Sequence, residues 1–95
     1  MITHIVLFKL KDNSAESVET TAQVLRNMEG KIDELKSITV GLDVLHSERS
    51  YDIGLITTFE SLDALAAYQV HPVHQKVIVH MTQVREASVS IDFES

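Results

Sequence analysis

The alternation of apolar and polar residues along the chain predicts four strands and three helices. Ile2 to Leu10 is a run of β-branched and apolar residues typical of a strand. In the segment after it, apolar residues recur at steps of three and four, which predicts a helix with one buried face. These residues are Val18, Ala22, Leu25 and Met28. We predict that Asn13 caps this helix, with Glu16 as the reciprocal acid three residues later.

Further apolar runs predict the remaining strands, at about Ser37 to Leu45, Tyr51 to Phe59 and Ala87 to Phe93. Two helical patterns separate the last two of these strands, so the element order is βαββααβ. When the two helices are counted as one broken helix, this is the ferredoxin-like arrangement. We therefore predict an α+β protomer with a four-stranded antiparallel sheet and helices on one face.

The only proline, Pro72, predicts where the broken helix is interrupted. Proline cannot lie inside a helix, and it keeps the preceding residue, His71, out of helical geometry. It is well suited to be the first residue of a new helix. We predict a helix capped by Ser61, a break between Val70 and Val73, and a third helix from Pro72.

The strands also predict an apolar surface on the side of the sheet that the helices leave open. A sheet with one wet face alternates apolar and polar residues. Here the residues assigned to the open side include four aliphatic ones: Ile5, Leu7, Leu45 and Ile56. We predict a homodimer in which two such sheets pack face to face. The alternative is a monomer with a few exposed aliphatic side chains.

Composition narrows the class of protein. Ninety-five residues make one domain, 1–95. The net charge is −6 and no cluster of Lys or Arg occurs, so we expect no nucleic-acid partner. The chain has no cysteine, which excludes disulfides and thiolate chemistry and fits a cytoplasmic protein. We see no signal peptide or membrane span, so we expect no membrane partner.

The segment AYQVHPVHQKV, residues 67–77, carries the candidate chemistry. Tyr68 and His74 are six residues apart and would lie on nearly opposed faces of one continuous helix. Only a break at Pro72 lets both point inwards. Neutral His74 could take a proton from the carbon next to a carbonyl, while the Tyr68 hydroxyl donates to the developing enolate oxygen. A pocket without chemistry, or simple packing of the two rings, is the alternative.

We predict that these two side chains border one cavity between the helices and the sheet. His4 lies on its floor, and His71 joins it from the helix break. The other predicted binding residues are Val6, Val40, Leu55, Ser88 and Ser90. The expected ligand is a small, partly polar carbonyl compound. No acid or cysteine accompanies the histidines at a useful spacing and no nucleotide-binding glycine motif occurs, so we predict neither a metal nor another cofactor.

Several of these segments together resemble one known family over essentially the whole chain. They are THIVLFKLK, Val40–Gly41, Tyr51–Asp52, FESLDALAAYQVHPVHQKV and SIDF. The chain resembles the stress-responsive dimeric α/β-barrel (Dabb) family, which implies a ferredoxin-like protomer and a dimer whose two sheets form a barrel. In a plant polyketide cyclase of that family, the tyrosine and second histidine of Y-x-x-H-P-x-H serve an aldol-type cyclisation. Those positions match Tyr68 and His74, and its strand 1 histidine, near the pocket, matches His4.

Three hypotheses about function follow. The one we adopt is a stress-associated protein that binds a small molecule without a defined reaction. The second is an enzyme that acts on a carbonyl compound by acid/base catalysis, similar to a polyketide cyclase. The third is a structural oligomer whose value is stability.

Overall fold

The chain folds as a four-stranded antiparallel sheet with three helices. A computed structural model describes all residues, 1–95. The elements in chain order are β1 (Ile2–Leu10), α1 (Ala15–Arg26), β2 (Ser37–Leu42), β3 (Ile53–Phe59), α2 (Leu62–Val70), α3 (Pro72–Val84) and β4 (Arg85–Glu94). This is the predicted βαββααβ order, so the ferredoxin-like α+β fold is confirmed. None of the three helices has the length and apolar character that a membrane crossing requires.

The strands lie in the order β2-β3-β1-β4, and every neighbouring pair is antiparallel. β1 is therefore paired on both sides, whereas β2 and β4 are the edges. Residues directly opposite each other share a face of the sheet. Ile5, for example, lies between Ile56 of β3 and Ile91 of β4. The pairing thus fixes which side chains meet on each face.

The N-terminus of α1 differs from the prediction by one residue. Ser14, not Asn13, is the N-cap, and its Oγ accepts a hydrogen bond from the Ser17 N–H at 3.3 Å. The Asp12 carboxylate accepts the Ser14 N–H at 3.0 Å, which fixes the turn before the helix. The prediction for α2 is confirmed, since the Ser61 hydroxyl accepts the Ala64 N–H at 3.1 Å.

The break at Pro72 is confirmed. His71 has extended backbone geometry, with φ −64° and ψ 137°, and it separates α2 from α3. Pro72 occupies the first turn of α3, where its missing N–H costs nothing. The His71 Nδ1 accepts the Val73 N–H at 3.1 Å, so the histidine side chain caps the new helix.

The core lies between the helices and the covered face of the sheet. Its largest fully buried side chains are Tyr68, Phe59, Leu25, Met28 and Ile53. They come from β3, α1, α2 and the segment after α1, so each helix and the central strands share one apolar interior. Burial of these side chains is the main favourable contribution to folding.

The apolar surface on the other side of the sheet differs from the prediction. β2 ends at Leu42, and Leu45 lies beyond it in a connecting loop with 75% of its surface exposed. The Asp43 carboxylate accepts the N–H groups of Leu45 and His46 and turns the chain away from the sheet. The large apolar residues of the open sheet face are instead these: Ile5, Leu7, Ile56, Val89, Ile91 and Phe93.

Candidate functional site

A cavity of about 190 Å³ lies between β1, β3 and the helices. Six of the nine residues predicted for the site line it: His4, Val6, Leu55, Tyr68, His74 and Ser88. The rest of its wall is formed by Phe8, Leu25, Met28, Val77, Ile78, Met81, Thr82 and Arg85. The structure therefore brings the tyrosine and two of the histidines together at one partly open site.

Three of the predicted residues lie elsewhere. Val40 is on β2, the edge strand that β3 separates from β1, and it borders a depression beside Arg26 and Glu29. The His71 side chain is used as the cap of α3. Ser90 lies opposite Val6 on β4 but is not part of the cavity wall.

Tyr68 is the innermost polar group of the cavity. Its side chain is fully buried, and its ring packs on the Phe59 ring with centroids 4.8 Å apart. The hydroxyl donates to the Met28 Sδ at 3.8 Å and has no oxygen or nitrogen partner. Burial raises the pKa of this hydroxyl well above its ordinary value, so it stays protonated. A phenol is thus held as a donor against a weak thioether acceptor.

His74 lies against Tyr68 because the first turn of α3 folds back over the end of α2. The two ring centroids are 4.2 Å apart. The His74 Nδ1 is 3.2 Å from the Gln69 carbonyl oxygen, which can only accept, so Nδ1 carries the hydrogen. Burial lowers the pKa of His74 below 6.5, and His4 and His71 lower it further, although the Gln69 hydrogen bond opposes this. The neutral ring keeps its Nε2 lone pair.

His4 is held by an acid that sequence reasoning did not assign to the site. Its Nδ1 is hydrogen-bonded to the Asp92 Oδ1, and the two residues are direct partners across β1 and β4. The His4 ring lies edge-on to the Tyr68 ring, with centroids 6.5 Å apart. A carboxylate bonded to one ring nitrogen orients the histidine. Only the strand register reveals this pair, and the register cannot be read from the sequence.

Two further wall residues, Thr82 and Arg85, were also missed. Thr82 continues a series on α3 that starts at His74 and passes through Ile78 at steps of four residues, and Arg85, the first residue of β4, follows Thr82 by three residues. Such steps place residues on one helix face. This spacing was a readable signal, and it extends the site from the helix break to the start of β4.

No three His, Asp or Glu side chains lie together in an arrangement that could hold a metal ion. The polar side chains of the cavity can form hydrogen bonds and transfer protons. Tyr68 supplies a hydrogen-bond donor and His74 supplies an unprotonated nitrogen, Nε2. His4 supplies a ring whose Nδ1 is bonded to Asp92.

Comparisons with known proteins agree with this fold. The profile of the stress responsive A/B barrel domain matches residues 2–95. An uncharacterized protein from Streptomyces coelicolor, SCO4036, is 31% identical over 78 residues, which are 79% of this chain and 80% of that protein.

Two solved structures of similar proteins are those of dimeric proteins. A dimeric ferredoxin-like protein of unknown function from Bacteroides fragilis is 28% identical, with a TM-score of 0.83 over 99% of this chain and 95% of that one. A second, from Thermobifida fusca, is 27% identical, with a TM-score of 0.87 over 99% and 90%. A hydroxynitrile lyase from Passiflora edulis, 16% identical over 97% and 90% of the two chains, has a TM-score of 0.83 and shares the fold alone.

The family profile covers almost every residue, from the first strand to the last. The Y-x-x-H-P-x-H segment that carries the resemblance is also the segment that forms the helix break and the cavity wall. The chain belongs to the stress responsive A/B barrel (Dabb) family.

Proposed function

We propose that this protein binds a small carbonyl compound in the cavity between β1 and the helices. The observation that carries the proposal is the Tyr68 hydroxyl, which is buried with only the Met28 sulfur as acceptor. Buried hydroxyls normally find an oxygen or nitrogen partner. A ligand carbonyl oxygen would be a stronger acceptor than the thioether, and the His74 Nε2 can accept from a neighbouring hydroxyl.

The volume of the cavity limits the size of the ligand. Its volume of about 190 Å³ is below the range of about 300–1,000 Å³ that is usual for drug-sized ligands. An apolar cavity of about 150 Å³ is large enough for benzene. A single ring with one or two polar substituents therefore fits, and acetophenone is a suitable first probe.

Ligand-observed NMR with acetophenone tests the proposal. Tyr68→Phe keeps the ring and removes the donor, so affinity should fall about threefold to tenfold. Tyr51→Phe is the matched control, because Tyr51 is the only other tyrosine and does not line the cavity. Equal affinity of the wild type and Tyr68→Phe would contradict the role of the hydroxyl. Absence of any binding would favour the structural-oligomer hypothesis.

The hydrogen bond of His74 favours a second candidate function, an enzyme that enolises a carbonyl compound. With Nδ1 bound to the Gln69 carbonyl, Nε2 can take a proton from the carbon next to the ligand carbonyl. The Tyr68 hydroxyl would donate to the resulting enolate oxygen. Return of the proton to carbon completes an exchange, so no oxidant or further reactant is needed.

Deuterium exchange into the methyl group of acetophenone measures this reaction directly. The wild type in heavy water should accelerate exchange over the buffer rate, and His74→Gln should abolish the acceleration while binding persists. The rate should rise as pH increases through the lowered pKa of His74, below 6.5, and then level off, since the base must be unprotonated. Exchange at the buffer rate with bound ligand would leave binding as the function.

We also propose that the chain forms a homodimer through its open sheet face. Support comes from the apolar side chains on that face and from the dimeric state of the similar solved structures. A large apolar patch on a small domain is typical of an association surface. A cytoplasmic location and a part in a stress response stay predictions, the first supported by the lack of cysteine and the second by the family name.

A further inference from the structure

Arg85 lies at the open end of the cavity without an acidic partner. Thr82, Arg85 and Ser88 are the exposed members of the cavity wall near the start of β4, so they mark where the cavity meets solvent. The Arg85 Nη1 donates to the Ser88 Oγ at 3.3 Å. No carboxylate oxygen lies within 4.0 Å of the guanidinium. Most of its five N–H donors are therefore available.

The charge of the cavity wall is opposite in sign to that of the whole chain. The protein has 14 acidic residues and a net charge of −6, yet none of the 14 residues that line the cavity is acidic. Asp92, the acid nearest to the site, is bonded to His4 and is not part of the wall. A cleft that carries one sign of charge concentrates ligands of the other sign. The wall thus favours an anion that the rest of the surface repels.

The polar groups of the cavity lie at two separate ends. Tyr68 and His4 are neighbours at one end of β1. At the other end, Ser88 is the direct partner of Phe8. Phe8 lies four residues further along the strand than His4, a rise of about 13 Å. Between the two ends the wall is apolar, formed by residues such as Val6 and Val77.

Given the function proposed above, we propose that the ligand of this cavity is a small carboxylate with an apolar body and a carbonyl at its far end. Arg85 and Ser88 bind the carboxylate, and the Tyr68 hydroxyl donates to the carbonyl. The planar guanidinium matches a carboxylate because it can donate two parallel hydrogen bonds. The competing explanation is that Arg85 only offsets the negative end of α3, whose Met81 carbonyl accepts the Arg85 N–H.

The experiment compares 4-acetylbenzoate with 4-acetylbenzamide by isothermal titration calorimetry. The two probes have the same ring and the same ketone, and the other end is a charged carboxylate in one and a neutral amide in the other. The wild type should bind the carboxylate about tenfold or more tightly than the amide. Arg85→Gln should abolish this preference by weakening binding of the carboxylate more than that of the amide, and Arg85→Lys should keep part of the preference. Arg26→Gln is the control, since Arg26 lies on α1 away from the cavity.

Other results of these titrations would each contradict a different part of the proposal. Equal binding of the two probes by the wild type would overturn the carboxylate site and leave the binding function standing. A preference that survives Arg85→Gln would overturn the assignment to Arg85. No binding of either probe would overturn both this inference and the proposed function. A lowered melting temperature of Arg85→Gln with an unchanged preference would show that the arginine only stabilises α3.

Discussion

β3 and β4 lie on either side of β1, and they turn their apolar residues to opposite faces of the sheet. On β3 the buried residues Ile53, Leu55 and Phe59 face the helices. On β4 the helix side carries serines and Asp92, while Val89, Ile91 and Phe93 face the open side with 41–57% of their surfaces exposed. Only one strand, β1, lies between these two opposite arrangements of apolar residues.

The difference shows that the two strands serve different interiors. β3 is covered by helices of its own chain, so its apolar side completes the protomer core. β4 is an edge strand whose apolar side has no cover within the protomer. An apolar strand face of this kind is stable when a second chain covers it, as an interface core resembles a domain core. The polar side of β4 can then contribute side chains such as Ser88 to the cavity wall.

The strongest test of whether β3 and β4 belong to different interiors is to truncate one phenylalanine on each strand. Phe59→Ala removes a fully buried ring and should cost about 3–5 kcal/mol at any protein concentration. Phe93→Ala should cost less, and its cost should grow as the protein is diluted, because it weakens association. Chemical denaturation at two protein concentrations measures both. Equal, concentration-independent losses would show that β4 belongs to the same core as β3.

A carboxylate on the open side of β4 should disrupt the dimer, whereas one on the other side of the same strand should not. Ile91→Glu places an unpaired carboxylate on that face and should produce monomers or unfolded chains, seen by light scattering at micromolar concentration. Ser90→Glu is the matched control, because Ser90 is next to Ile91 on the same strand and points to the other side of the sheet. Wild-type protein that is already monomeric would refute the homodimer proposal, and so would an unchanged dimer in Ile91→Glu.

A smaller effect is expected from the one hydroxyl in the middle of the buried side of β3. Thr57 is fully buried, and its Oγ1 donates to the His4 carbonyl oxygen at 3.2 Å. Thr57→Val should lower the free energy of unfolding by about 1 kcal/mol. Ser90→Ala on β4 should change it by less than about 0.5 kcal/mol, as is usual at exposed sites. Similar losses for both would mean that β4 is buried on its helix side too.

The smallest effect concerns the pH dependence of stability at His74. Its pKa is lowered in the folded chain, chiefly by burial, so the unfolded chain binds the proton more readily. Stability should be fully present above pH 6.5 and decrease as the pH falls below that value towards the lowered pKa of the folded state. His74→Gln should lose less stability than the wild type between pH 7 and about pH 5 in thermal denaturation. Parallel losses would contradict the burial of the ring.

The features that depend on local periodicity and on Pro72 could be predicted from the sequence. α1 and α3 show their buried faces in the spacing of their apolar residues, and proline constrains His71 sterically. The end of β2 could not be predicted, because the Asp43 side chain captures the next backbone N–H groups. Val40 was placed wrongly in the cavity wall because strand order, β2-β3-β1-β4, is a tertiary property.

Asp92 and Arg85, two of the missed site residues, could not be assigned for a similar reason. Asp92 meets His4 only through the register of two strands at opposite ends of the chain. Arg85 directly follows α3 as the first residue of β4, and its place in the cavity wall depends on how the end of α3 lies over the sheet. The face of β4 was also hidden, since its apolar residues point away from every helix of their own chain.

The pairing of β1 with β4 also shapes how the protein comes to be folded. Leu10 pairs with Arg85 and Ile2 with Glu94, so one edge of the central strand is completed by a segment that is synthesised 75 to 92 residues later. At about 5–20 residues per second, β1 waits on the order of 4–18 s for its second neighbour. Contacts of such long range also slow folding. During that interval the apolar run from Ile2 to Leu10 has an unpaired edge, and such an edge can pair with another chain.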